Sequence, residues 1–130
     1  MQDRPTVQEL LDAVRVFLEE DVVPRLDGPR RYHALVAANV LAIVNRELVA
    51  EETSLLAEWR RLASLAGDDP APPVGLAALR AAVRDATTTL AGRIRCGDAD
   101  DGAFRDAVRA HLRETVVEKL RVANPRFVAR

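Results

Sequence analysis

The residues of this chain that could do chemistry are polar side chains standing where apolar ones are expected. At roughly 100° per residue along a helix, Asp21 falls in the sector of Val14 and Phe17. Tyr32, Asn39 and Arg46 are spaced by seven, so they line one edge of an otherwise apolar helix, with His33 and Glu47 to one side. His111, Thr115 and Lys119 lie inside the stripe begun by Phe104 and Val108. A charge buried alone costs several kcal/mol or is neutralised. The expectation is that these groups meet one another in one polar cluster across the first, second and last helices. Such a cluster suits a small-ligand pocket or an enzyme, with Asp21, Arg46 and Lys119 as its charges and His33 or His111 carrying protons near neutral pH. It suits structure or partner contact equally. Lys119 can lay its stem on apolar surface with the ammonium in water, and Asn39 can fix packing register.

Stronger signatures are missing. A carboxylate-bridged di-iron bundle uses two Glu-x-x-His pairs, and the residues three before His33 and His111 are Arg30 and Val108. His111 and Glu114 share a face in the reverse order, one pair where metal sites take several ligands. "DADDGAF" departs from a calcium loop at Gly102 and Ala103 and reads better as capping aspartates. Cys96 follows a helix C-terminus, whose dipole opposes a thiolate, and reads as a bystander thiol. No GxGxxG or GxxxxGK[ST] occurs. No cofactor, metal or catalytic residue is therefore assigned.

The 130 residues fit one domain. Apolar residues at 48% and charged residues at 30% mark a globular chain. A net charge of −1 with few aromatics disfavours nucleic acid and anionic membranes. The longest near-apolar run, "ALVAANVLAIV", has 11 residues, against about 20 for a spanning helix. With a single cysteine and no signal core, the expectation is a cytoplasmic protein.

The elements that must position these residues are helices, since no stretch alternates apolar and polar residues. Thr6 and Glu9 form a capping box for a first helix ending near Val23, before Pro24. A second helix, about Arg30 to Val49, is apolar almost all round, as a central buried helix would be. A third runs from about Glu52 to Ala66 with Leu55, Leu56, Trp59 and Leu62 inward and Gly67 as its stop. One long bent helix in place of these two is the alternative. "GDDPAPPVG" is a loop. The fourth helix, about Leu76 to Arg95, is alanine-rich enough to form a close homodimer seam. The fifth, capped by Asp100 or Asp101, runs to about Ala123. This is a single-domain, all-α antiparallel bundle of four to five helices over residues 1–130.

"MQDRPTVQELLDAVRVFLEEDV", "YHALVAANVLAIVNREL" and "LRETVVEKLRVANPRF" together resemble small bacterial all-helical proteins of unknown function. Genes of that family lie beside aminoglycoside-phosphotransferase-like kinases and acyl-CoA dehydrogenases. The resemblance implies that Asp21, His33, Asn39, Arg46, Glu47, Lys119, Asn124 and Pro125 are recurring positions, which adds Asn124 to the cluster. It also implies an accessory module, not itself an enzyme, working with a phosphotransferase-like kinase or an acyl-CoA-metabolising enzyme. The alternatives are a small ligand-binding protein or enzyme, and a self-associating helical protein.

Overall fold

The computed structural model describes residues 3–68 and 70–129. Among them every element is helical and no strand occurs, so the all-α helical fold stands. The chain forms two compact units, Met1–Ala50 and Glu51–Arg130.

In the first unit, α1 (Val7–Phe17) starts at the capping box read from the sequence: the Thr6 hydroxyl accepts from the Glu9 amide at 3.2 Å, and the Thr6 amide donates to the Glu9 carboxylate at 2.7 Å. The α-helix gives way earlier than expected. A π turn over Leu18–Val22 and a 3-10 turn over Val23–Arg25 follow before the chain turns. Pro24 does not stop the run where the sequence places its end. Val23 keeps helical dihedrals (φ −55°, ψ −42°), Pro24 lies inside the 3-10 turn near its start, where its missing amide hydrogen costs nothing, and the chain becomes extended only at Leu26. The next helix, α2, runs unbroken from Gly28 to Ala66. The separate second and third helices of the sequence reading are thus one helix of 39 residues, because no glycine or proline after Pro29 interrupts it.

The expectation of a buried second helix is corrected. Between Tyr32 and Ala50 only Ala38 is buried, whereas Val36, Val40, Val44 and Leu48 are exposed. α1 likewise shows Val7, Leu10, Val14 and Phe17 to solvent. By length and composition alone α2 could cross a membrane, with a window of mean hydropathy 1.3 of which 6% is buried.

The second unit carries the core. Trp59 and Leu62 from α2, Leu79, Val83 and Leu90 from α3 (Leu76–Arg95), and Val108 from α4 (Gly102–Ala123) form one buried cluster, with Leu55, Leu56 and Phe104 at its margin. A short helix, α5 (Pro125–Val128), follows. The boundaries of α3 and α4 agree with the sequence reading. Gly67 and Gly97 end α2 and α3 as paired Schellman motifs. Each adopts positive φ (82° and 90°), with Asp68 and Asp98 amides bonding back to the Ala63 and Arg93 carbonyls at 3.0 and 3.1 Å.

The bundle of this unit is not antiparallel throughout. Arg80 bonds Glu51, and thirteen residues on Arg93 bonds the Leu65 carbonyl, so α2 and α3 ascend together. α4 descends: Ala107 flanks the Leu65 end while Glu118 meets Arg61. Parallel neighbours need a crossover as long as the helix it retraces. The linker 67–75 has nine residues, Pro70, Pro72 and Pro73 among them, and a chain of that length spans at most about 30 Å at ~3.3 Å per residue when fully extended. The α2 stretch from Glu51 to Ala66 spans about 22 Å at ~1.5 Å per residue.

Candidate functional site

The inward face of α4 places polar groups in the second unit. Val108, His111 and Thr115 are buried there, as their spacing predicts, but Lys119 is exposed. The inward charge is its neighbour Glu118. Arg61 on α2 meets it with both terminal nitrogens, Nη2 at 2.6 Å and Nη1 at 3.0 Å, and Nη2 also donates to Thr115 Oγ1 at the long limit of 3.5 Å. The two side chains are 24% and 17% exposed, so the pair is half-buried and bidentate. Hydrogen bonding to Glu118 raises the Arg61 pKa further above its ordinary value, against the opposing effect of burial.

His111 sits beside this pair, 5% exposed. Burial, and then the positive charge of Arg61, push its pKa below the ordinary 6.5, so the imidazole is held neutral. Its Nδ1 and the Arg61 Nε are buried without a hydrogen-bond partner among the described residues. An open groove of about 570 Å³ runs over Arg61 and His111, lined also by Arg60, Ser64, Leu65, Ala107, Ala110 and Glu114. Its chemistry is that of a mainly apolar cleft with a neutral imidazole and a guanidinium at one side. Among the described residues no group of three or more His, Cys, Asp or Glu is arranged to hold a metal ion.

Residues 24–127 match the family described as "Domain of unknown function (DUF6285)". The chain belongs to this family. No curated protein and no solved structure matches. The DUF6285 match begins after α1, so the first of the three stretches resembling the bacterial helical proteins lies outside it, and so does Asp21.

The remaining sequence-assigned residues lie within the DUF6285 range. In the first unit, Asp21 is half-buried and pairs at 3.4 Å with Arg25, one helical turn on. Tyr32 and His33 are exposed, their rings tilted at 57° with centroids 6.0 Å apart. Asn39 and Glu47 are exposed and Arg46 is half-buried. In the second unit, His111 is buried while Lys119 and Asn124 are exposed. Asn124 ends α4, its amide bonding the Leu120 carbonyl at 2.7 Å. Asp21, Asn39, Glu47 and Lys119 are therefore not unpaired buried charges or amides in need of rescue.

Arg61 and Glu118 were missed. Both lie at the margin of an apolar stripe, where Glu58 on α2 and Lys119 on α4 stand as well, so spacing alone does not single out the Arg61–Glu118 pair. Arg93 was missed as well: it donates to the Leu65 carbonyl at 3.0 Å and to Asp98 at 3.1 Å, and its guanidinium lies 3.9 Å from the centre of the Phe104 ring.

Proposed function

We propose that this DUF6285 chain is a non-catalytic interaction module. The observation that carries the reading is the first unit, where, among the described residues, eleven large apolar side chains are exposed and only Val23 and Ala38 are buried. A unit with so small an interior cannot offset its chain entropy alone, and an extended apolar surface of this kind marks an interaction site. The partner class is a phosphotransferase-like kinase or an acyl-CoA-metabolising enzyme in a bacterial cytoplasm, supported by the resemblance to helical proteins encoded beside such enzymes. Affinity capture tests it, with tagged wild type beside a folded Val40→Glu variant. Repeated retention of such an enzyme by wild type alone supports the reading, and retention of neither enzyme class by wild type counts against it.

A second reading, ligand binding, is favoured by the groove over His111 and Arg61. It moves the pocket from the Asp21, Arg46 and Lys119 grouping to the second unit. Calorimetric titration of small acyl and phosphorylated compounds, with His111→Phe as control, separates it from the first.

A further inference from the structure

We propose that the exposed apolar face of the first unit is an isologous contact with a second copy of this chain. This rests on the interaction-module reading and names one partner for it.

Two observations select a second copy. Val36, Val40, Val44 and Leu48 are exposed and recur at every fourth residue of α2. Such a row is a continuous ridge, and ridges of this spacing interdigitate with their own kind in the commonest mode of helix packing. A two-fold axis sets the ridge against itself.

The charges are self-complementary. The segment Val7–Val22 holds Glu9, Asp12, Glu19, Glu20 and Asp21 against Arg15 alone. Residues 24–48, which include the row, hold Arg25, Arg30, Arg31 and Arg46 against Asp27 and Glu47. A two-fold contact lays the acidic segment of each copy beside the basic segment of the other, which sets register at the polar rim. A lipid surface fits the face less well, because Arg46, Glu47, Glu51 and Glu52 interrupt α2 where a spanning or embedded helix stays apolar.

Light scattering on the purified chain is the first measurement, and the expected mass is twice 14.3 kDa. Val44→Glu, with helical circular dichroism retained, weakens the dimer about thirtyfold or more. Glu19→Lys/Glu20→Lys and Arg30→Glu/Arg31→Glu each weaken it, and mixing the two restores association. A wild-type mass of 14.3 kDa at all concentrations overturns the proposal. So does a dimer indifferent to all three variants, or a monomer that floats with phosphatidylcholine–phosphatidylglycerol vesicles. A monomer that still captures a kinase-like or acyl-CoA enzyme sinks the dimer alone. A dimer of the stated behaviour that captures neither enzyme leaves the second copy as the module's partner and removes the enzyme reading.

Discussion

Arg61 grips Glu118 with two hydrogen bonds, at 2.6 and 3.0 Å, across 57 positions of sequence. The pair fastens α4 to α2 at the edge of a core that neither helix could close alone. Removing one partner leaves the other half-buried and unmatched, which falls between the cost of a surface pair and that of a buried one. Arg61→Met and Glu118→Gln should each lower stability by about 2 kcal/mol, whereas Arg61→Met/Glu118→Leu should recover part of that loss. Urea denaturation checks this, and single variants with unchanged midpoints would remove the pair from the account of stability.

His111 gives the second unit a pH dependence of definite sign. Its pKa is lowered in the folded state, so between that value and about 6.5 the unfolded chain binds more protons. The contribution is full above about pH 6.5 and is lost as pH falls toward the folded value. The urea midpoint of wild type should therefore drop from pH 7.5 to pH 5.5 more than that of His111→Gln. Parallel curves for the two proteins would show that His111 is not held neutral.

Arg93 joins the end of α2, the turn before α4 and the Phe104 ring through one planar group. Lysine keeps the charge but loses the fork and most of the stacking. Arg93→Lys should cost about 1–2 kcal/mol, because a hydrogen bond from a charged group is worth ~1.5–3 kcal/mol. Thermal unfolding measures it, and a loss confined to a few tenths of a kcal/mol would reduce Arg93 to a surface residue.

The proline-rich linker has a length requirement that a tight turn lacks. Deleting Ala71, Pro72 and Pro73 shortens the reach by about 9 Å at ~3.1 Å per residue and should prevent α3 from docking in register. Replacing both Pro72 and Pro73 by glycine keeps the length and should cost about 1 kcal/mol through the freer unfolded chain. Circular dichroism with limited proteolysis distinguishes the two. A deletion variant as stable as wild type would contradict the parallel arrangement.

Much of this architecture is written in local sequence. The T-x-x-E box, the glycines after Ala66 and Cys96, and the spacing of Leu79, Val83 and Leu90 act within a few residues, so they can be read without knowing the fold. Lys119 shows where such reading stops. It and Glu118 stand on opposite edges of the stripe formed by Val108, His111 and Thr115, and helical angle alone ranks them nearly equally. What decides is which edge the neighbouring helix covers, and Arg61 is on the Glu118 edge. The outer face of α2 fails for the same reason: valines at every fourth residue state that something apolar belongs there, but not which surface supplies it. The direction of α3 was hidden too, because a nine-residue loop is compatible with either a return or a retrace.

Because α2 and α3 ascend together, the second unit cannot assemble as a zipper of neighbouring hairpins. Its fastening contacts join residues 28, 29 and 57 positions apart, so the chain must surrender much of its loop entropy before the first of them forms. An all-helical protein of this size ordinarily folds quickly because its contacts are local. This one has the helix content of a fast folder, yet each of its α2–α3 fastenings closes a loop of 28 or 29 residues before any reward is gained.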